Sequence, residues 1–218
     1  MDISTYKDLD GLCLPRSFYL SMDVDQIAQG LLGKFLCTQM KGQQVAGMIV
    51  ETEAYRAPDD QACHAYQNLR TSRTETMFAA GSCAYVYLCY GIHHLFNVVT
   101  APEGFAHAVL IRGLQPVDNI PEMLRRRQQK VLKTQLSAGP GVLTKALGIN
   151  ALQNGCSLLE KGESRVWIED RGVKLHPTQI QFGTRVGIAS AGEDRFRPWR
   201  FSIHQNPWVS KAKGESRE

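Results

Sequence analysis

The segment from residue 84 to residue 100 constrains the fold of this chain most strongly. It is rich in aromatic and β-branched residues and is interrupted by a single glycine, Gly91. Runs of this composition favour β-strands, and a glycine between two such runs favours a tight turn. The segment therefore predicts a β-hairpin whose turn lies between Tyr90 and His94.

Further strands and helices are predicted around this hairpin. The patterns indicate strands at residues 35–39, 45–55, 108–113, 166–169, 184–188 and 200–203. They indicate helices at 23–38, 121–133 and 141–147, and Gly30 and Gly33 leave the end of the first helix open. No strand–helix–strand repeat recurs, which favours a mixed α+β domain with a mainly antiparallel sheet. A split into two domains near residue 120 is the alternative.

Composition excludes several classes of protein. The 218 residues are 43% hydrophobic and 21% charged, which argues against long disordered segments. The net charge of +4 permits a polyanionic partner without requiring one. No apolar run reaches the roughly 20 residues of a spanning helix, and no secretory signal is recognised. The six cysteines form no CxxC motif, so we expect free thiols in a reducing compartment.

Two carboxylates and a phenol occupy alternate positions of the predicted strand 45–55. Glu51, Glu53 and Tyr55 should therefore share one face of it, and His64 follows in a long polar loop. A carboxylate at the mouth of an apolar pocket can act as a general base on water. A solvated strand face would show the same pattern, and both interpretations stay open on these residues alone.

Three tyrosines mark the hairpin. Alternation places Tyr85 and Tyr87 on one face, where they fit either a core or a ligand platform. Tyr90 stands beside Gly91 at the turn, which is a poor position for a core residue. An exposed aromatic side chain at a turn is suited to wedging between stacked bases.

Positive charge is concentrated after residue 124. On the predicted helix 121–133, Arg126, Lys130 and Lys133 would share a face, and Lys145 follows. Such a face is usually solvated, and contact with phosphates is the alternative. The histidines lack the spacing of metal ligands, so no metal site is predicted.

Several motifs in register resemble one family. They are GMIVETEAYRAPDDQACHA, MFAAGSCAYVYLCYG, LFNVV, HAVLIRGLQP, AGPGVLTKALGIN and RFSIHQNPWVS, spread over roughly residues 17–211. In order and spacing they resemble the alkyladenine (3-methyladenine, methylpurine) DNA glycosylases. The resemblance implies an enzyme that removes alkylated or deaminated purines from duplex DNA and initiates base excision repair.

The resemblance also implies roles for individual residues. Glu53 matches the residue that activates the attacking water, and Arg112 matches an arginine that contacts the flipped nucleotide and helps to place that water. Tyr90 matches a tyrosine that enters the minor groove from a protruding hairpin. The implied base pocket consists of Tyr55, His64, Tyr87, Asn97 and Leu110. We expect DNA backbone contacts from Arg73, Arg126, Lys130 and Lys145.

The expected fold is a mixed α+β domain over residues 1–218. Its sheet should be curved and open, like part of a barrel, with flanking helices and loosely attached termini at 1–16 and 209–218. Thr74 and Gly113 depart from residues that relatives carry. We expect a monomer that acts without a metal or other cofactor, binds double-stranded DNA containing damaged purines, and does not associate with membranes.

The expected activity is hydrolysis of the N-glycosidic bond without a lyase step, leaving an abasic site. The candidate lesions are 3-methyladenine, 7-methylguanine, hypoxanthine and ethenoadenine. The expected location is on DNA inside the cell, in the bacterial cytoplasm and nucleoid or in a eukaryotic nucleus. A catalytically inactive module that binds damaged DNA is the alternative, and a free nucleoside hydrolase is a third hypothesis.

Overall fold

The computed structural model describes residues 3–211, which form one curved antiparallel sheet with a few short helices. The strands are β1 (Leu12–Cys13), β2 (Phe35–Met40), β3 (Gln43–Arg56), β4 (Ala84–Cys89), β5 (His93–Thr100), β6 (His107–Asp118), β7 (Arg165–Asp170), β8 (Ile180–Gly183) and β9 (Arg200–Ile203). The α-helices are α1 (Arg16–Tyr19), α2 (Val24–Gly30), α3 (Ile120–Arg127) and α4 (Pro140–Leu147).

β3 is the central strand and organises the sheet. The strands lie in the order β1-β7-β2-β3-β6-β5-β4, and β9 pairs with both β3 and β8. β6 occupies one edge of β3, while β2 and β9 pair with successive parts of the other edge. Register shifts around Glu51 disrupt the β3–β6 ladder, and such irregularities bend a strand and increase its twist. The predicted mixed α+β fold with a curved antiparallel sheet is confirmed.

Strands from both ends of the chain belong to the same sheet. β7 pairs with β2, and β9 pairs with β3. The alternative of two domains divided near residue 120 is therefore wrong, because the sheet itself joins the two parts. Two buried threonines tie helices to it: Thr52 Oγ1 donates to the Ala28 carbonyl at 2.9 Å, and Thr38 Oγ1 to the Leu147 carbonyl at 2.7 Å.

The predicted hairpin is present. β4 and β5 pair from Ala84 opposite Val98 to Cys89 opposite His93, with the turn between them. The predicted long loop begins after Arg56, the last residue of β3, contains turns and a short 3₁₀ helix at Tyr66–Asn68, and ends at a second 3₁₀ helix, Glu75–Phe78. The hairpin and the loop both depend on local composition, and local composition can be read from the sequence alone.

Three predicted elements differ from the structure. The helix predicted at 23–38 is α2, which ends at Gly30, because Gly33 has a positive φ of 80° and the chain then enters β2. The basic helix ends at Arg127, where Gln128 adopts a left-handed conformation with φ 53°. Lys130 and Lys133 therefore do not share a helical face with Arg126. The strand predicted at 184–188 is wrong, since β8 lies earlier and residues 184–188 form a loop.

The termini are only partly described. Residues 1–2 and 212–218, within the segments expected to be loose, lie outside the described residues. Cys13 of β1 pairs with Glu169 of β7, and Leu14 is buried. Ser210 is also buried. These positions pack on the domain instead of being loosely attached. Over residues 3–211, no helix has both the length and the apolar character needed to cross a membrane.

Candidate active site

A row of paired residues crosses four strands and forms the base of the site. The strand register places Glu53 of β3 beside Leu110 of β6. Leu110 also pairs with Asn97 of β5, and Asn97 pairs with Tyr85 of β4. Directly paired residues project from the same face of a sheet. The row therefore brings together a carboxylate, an apolar side chain, an amide and a phenol that are far apart in the sequence.

Glu53 is a fully buried carboxylate with donors on both oxygens. Oε2 accepts a hydrogen bond from the Tyr55 hydroxyl at 2.7 Å and lies 3.3 Å from Arg112 Nη1. Oε1 accepts from the backbone N–H of Val186 at 2.7 Å. Burial raises the pKa of Glu53, and the charge of Arg112 is the main opposing influence. A carboxyl with a raised pKa accepts a proton more readily than an exposed glutamate, as a general base must.

Arg112 lies between two buried carboxylates. Its Nε donates to Glu51 Oε1 at 3.1 Å, while Nη1 faces Glu53. Burial lowers the pKa of Arg112, but the charges of Glu53 and Glu51 outweigh burial and raise it. Glu51 and Glu53 are both fully buried, so the interpretation of a solvated strand face is wrong.

An aromatic cluster adjoins Glu53. The His64 and Tyr87 rings meet edge to face with centroids 4.7 Å apart, and the Tyr85 ring stacks on Tyr87 at 5.4 Å. Tyr55 packs against the same buried cluster as Tyr87. Burial lowers the pKa of His64 to about 4, with a further contribution from the charge of Arg73, so the imidazole is neutral at physiological pH.

The polar contacts of this cluster are fixed by its neighbours. His64 Nδ1 lies 3.0 Å from the Tyr85 hydroxyl, and Asn97 Nδ2 donates to the Tyr85 carbonyl at 3.1 Å. Arg73 Nη2 lies 3.1 Å from His64 Nε2, and its guanidinium is 5.0 Å from the Tyr87 ring centroid. Arg73, expected at the DNA backbone, thus contacts the aromatic cluster itself. Tyr85, for which the core and a ligand platform were both open, lies in this cluster and stacks on Tyr87.

The hairpin turn presents apolar side chains to solvent. Tyr90 is 90% exposed and Ile92 is 73% exposed. The root of the hairpin is braced by α4: Thr144 Oγ1 donates to the His94 carbonyl at 2.7 Å. Gly141 approaches so closely that an added Cβ would lie 2.7 Å from the Cβ of His93. The tip is thus an exposed aromatic residue on a supported hairpin.

The remaining basic residues occupy different environments. Lys130 and Lys145 are exposed, as a phosphate contact requires. Arg126 is not free in this way, because its Nε donates to Glu122 Oε1 at 2.7 Å and its side chain is only 10% exposed. Arg126 also donates to the carbonyls of Ala146 on α4 and Gln43 on β3, at 3.4 and 3.3 Å, and so joins α3 to the domain. This differs from the predicted contact with the DNA backbone.

A buried ion pair that the sequence patterns did not indicate supports the site from the loop 184–188. Arg185 Nη1 and Nη2 donate to the two carboxylate oxygens of Asp60 at 2.5 and 2.7 Å, with both side chains fully buried. The Arg185 guanidinium also lies 4.8 Å from the Tyr55 ring centroid. The next residue is Val186, whose N–H binds Glu53. The Asp60–Arg185 pair therefore fixes both a ring and a donor of the site.

The described residues do not suggest a metal centre. Over residues 3–211, no group of three His, Cys, Asp or Glu side chains is arranged to hold a metal ion. All six cysteines are free thiols, as predicted. A buried, arginine-paired carboxylate beside an aromatic cluster suits a hydrolase, because it offers a proton acceptor next to surfaces on which a flat ring can stack.

Comparison with known proteins specifies this class. The family model described as methylpurine-DNA glycosylase (MPG) matches residues 17–207. A protein of Chlamydia felis named "Putative 3-methyladenine DNA glycosylase" is 43% identical over 192 residues, which cover 88% of this chain and 96% of its own. A protein of Bacillus cereus with the same name is 43% identical over 202 residues, covering 90% and 98%.

The chain therefore belongs to the methylpurine-DNA glycosylase family. It is a DNA glycosylase of DNA repair, a hydrolase that cleaves N-glycosyl bonds, and its substrate is DNA.

Proposed function

We propose that this glycosylase flips alkylated or deaminated purines out of duplex DNA and hydrolyses the N-glycosidic bond with a water activated by Glu53. The product is an abasic site, and no lyase step follows. The observation that carries the proposal is the fully buried Glu53 carboxylate, paired with Arg112 and adjacent to the aromatic cluster of Tyr55, His64 and Tyr87.

Glu53 has the capacity for the proposed chemistry. A carboxylate offers about four acceptor positions, and Tyr55, Arg112 and Val186 occupy three of them. A water molecule can donate to the remaining position. Its oxygen attacks C1′, its proton passes to Glu53, and the electron pair of the N-glycosidic bond leaves with the purine. The carboxylate also stabilises the oxocarbenium-like sugar, as in other glycoside hydrolyses.

The aromatic cluster fits a flipped purine. Extrusion of a base costs a few kcal/mol, least for a base whose pairing is already weakened. The exposed Tyr90 is placed to fill the gap left in the stack, and stacking on a base is worth roughly 1–3 kcal/mol. Alkylated purines such as 3-methyladenine and 7-methylguanine are cationic, and aromatic faces attract cations. The neutral His64 does not repel such a base.

We assign the selection among lesions to Asn97 and Leu110, which belong to the row of paired residues that begins at Glu53. Asn97 and Leu110 are both 4% exposed. Leu110 pairs directly with Glu53, and Asn97 pairs with Leu110 on the next strand. The Asn97 amide donates a hydrogen bond to the Tyr85 carbonyl, which fixes its orientation. It therefore cannot rotate to suit every exocyclic group of a purine. The proposed substrates are 3-methyladenine, 7-methylguanine, hypoxanthine and ethenoadenine. We further propose that the enzyme acts as a monomer on DNA inside the cell.

The test is single-turnover release of base from a duplex containing one hypoxanthine or one 3-methyladenine. Wild type should release the base, and Glu53→Gln should bind the duplex but release nothing. Glu103→Gln is the matched control, because Glu103 is exposed and should leave the rate unchanged. Tight binding without release by wild type would instead favour an inactive module. Release that is insensitive to salt would favour a nucleoside hydrolase, since duplex binding weakens steeply with salt.

A further inference from the structure

Glu51 is a second buried carboxylate at Arg112, and it accepts four hydrogen bonds. Oε1 accepts from Arg112 Nε at 3.1 Å, from Arg200 Nε at 2.7 Å and from the Ser210 hydroxyl at 2.9 Å. Oε2 accepts from the Ser210 N–H at 2.7 Å. Four donors thus surround a carboxylate that offers about four acceptor positions, one donor more than surrounds Glu53. Glu51 is therefore the less available of the two carboxylates for water or substrate.

The C-terminal strap, defined as residues 206–211, crosses β6 beside this carboxylate. Asn206 Nδ2 donates to Gln115 Oε1 of β6 at 2.8 Å, and the Trp208 side chain is buried in the core. Gly113 of β6 permits the close approach, because a Cβ there would lie 2.7 Å from the Trp208 carbonyl oxygen. The strap is thus anchored on β6, and Arg200 Nη2 of β9 also donates to the Ser210 carbonyl at 3.0 Å.

Ser210 of the strap contacts both Arg112 and Glu51. Its hydroxyl accepts from Arg112 Nη2 at 3.2 Å and donates to Glu51 Oε1 at 2.9 Å. Arg112 is therefore held at Nε by Glu51 and at Nη2 by Ser210. Two fixed nitrogens determine the orientation of a planar guanidinium. The third nitrogen, Nη1, is left 3.3 Å from Glu53 Oε2.

We propose that Ser210 and Glu51 are positioning residues that aim Nη1 of Arg112 at Glu53 during base excision. The proposal rests on the proposed function, because it assigns these residues to the water-activating pair. It makes the C-terminal strap a part of the active site, although the strap contributes no group to the reacting atoms.

The geometry predicts a larger effect on rate than on binding. Without the Ser210 hydroxyl, Arg112 Nη2 loses its acceptor, and the guanidinium can turn toward another one. A misplacement of about 1 Å can cost a hundredfold in rate. Loss of a single hydrogen bond to a charged group corresponds to a change in rate of at least about tenfold. Binding of the lesion duplex should change little, because Ser210 is buried away from solvent.

The first experiment compares Ser210→Ala with Ser210→Thr and Ser137→Ala. Ser137 is a buried serine whose hydroxyl donates only to the Leu114 carbonyl among the described contacts, so Ser137→Ala is a matched control for loss of a buried hydroxyl. Ser210→Ala should lower the single-turnover rate about tenfold or more, with the Kd for the lesion duplex within about twofold. Ser210→Thr, which keeps the hydroxyl, should stay near the wild-type rate, as should Ser137→Ala.

The pH profile is a second readout that a merely structural role would not change. Loss of alignment removes part of the Arg112 charge from Glu53, so the acid limb of the Ser210→Ala profile should move to higher pH. The titratable and charged groups around Glu53 are Glu51 and Tyr55 on its own strand, Arg112 on β6, Tyr87 on β4, Arg200 on β9 and Arg185 on the loop after β8.

A wild-type rate for folded Ser210→Ala, or a loss confined to Kd, overturns the inference. If Ser210→Ala does not fold, Asn206→Ala replaces it, because it loosens the strap without removing a contact of Arg112. This variant should lower the rate several-fold at unchanged Kd, and a wild-type rate would again overturn the inference. Absence of base release by wild type would contradict the proposed function instead, so the two failures are distinguishable.

Discussion

Removing the carboxyl group of Asp60 should destabilise the protein far more than removing that of its neighbour Asp59. Asp60 receives two hydrogen bonds from Arg185, at 2.5 and 2.7 Å, and both side chains are fully buried. Asp59 pairs with Arg56 at 2.6 Å, but the two side chains are 47% and 37% exposed. The two aspartates are adjacent in sequence and differ in the burial of their ion-pair partners; Asp60 also accepts from the backbone N–H groups of Arg56 and Ala62, at 3.3 and 3.0 Å.

The magnitude follows from the charge that each substitution leaves behind. Asp60→Ala leaves the Arg185 guanidinium buried with only the carbonyls of Ala54 and Asp194 as acceptors, at 2.9 and 3.2 Å. Breaking a buried pair in this way costs about 3–5 kcal/mol. That is a large part of the roughly 5–15 kcal/mol that keeps a domain folded. Asp59→Ala exposes its partner to water, and the expected cost is below about 1 kcal/mol.

The assay is urea unfolding at neutral pH, followed by tryptophan fluorescence. A third variant, Asp60→Ala with Arg185→Met, removes both charges and should recover much of the lost free energy of unfolding, because no unpaired charge stays buried. Equal losses for Asp60→Ala and Asp59→Ala would refute the reasoning. So would a double variant that is as unstable as Asp60→Ala, since the loss could not then come from an uncompensated charge.

Three further predictions concern activity. Tyr90→Ala should slow excision from a stably paired lesion by about tenfold, from a stacking energy of roughly 1–3 kcal/mol. The exposed Leu152 provides the control variant Leu152→Ala, and an equal loss on a weakly paired lesion would contradict the wedge. With the cationic 7-methylguanine, the rate should fall toward acid with a midpoint above that of an ordinary glutamate, because burial raises the pKa of Glu53; a flat profile down to about pH 4 would contradict this. His64 should stay neutral by NMR from about pH 5 to 8, and a titration midpoint near 6.5 would contradict its burial.

Local sequence patterns correctly predict those parts of the fold and site that depend on residues close together in the sequence. Alternation predicts that Glu51, Glu53 and Tyr55 share one face. In the structure, Arg112 contacts both glutamates, and Tyr55 donates a hydrogen bond to Glu53. The aromatic run around Gly91 correctly predicted the hairpin. Both inferences use a period of two residues, which the chain carries in its own composition.

The parts that could not be predicted depend on contacts between distant segments. Arg185 looked like part of a strand, but it is needed in a loop to pair with Asp60, which lies 125 residues earlier. Ser210 lies 159 residues from Glu51, and nothing in its local sequence signals a buried hydroxyl. The basic helix ended early because Gln128 takes a left-handed conformation that its composition does not demand. The conformation of each of these residues depends on side chains that only the folded chain brings close to it.

These distant contacts balance the charge beneath the aromatic cluster. Three buried carboxylates, on Glu51, Glu53 and Asp60, are matched by three buried guanidiniums, on Arg112, Arg185 and Arg200. Burying an unpaired charge costs a large free energy of desolvation. The Glu53 carboxylate can therefore be buried only because arginine side chains are buried beside it. Under the proposed function, a cationic purine would then lie above a balanced set of buried charges, with the Arg73 guanidinium beside the His64 and Tyr87 rings. Discrimination against normal bases would come from stacking and from fixed amides, while Glu53, whose pKa burial raises, takes the proton from water.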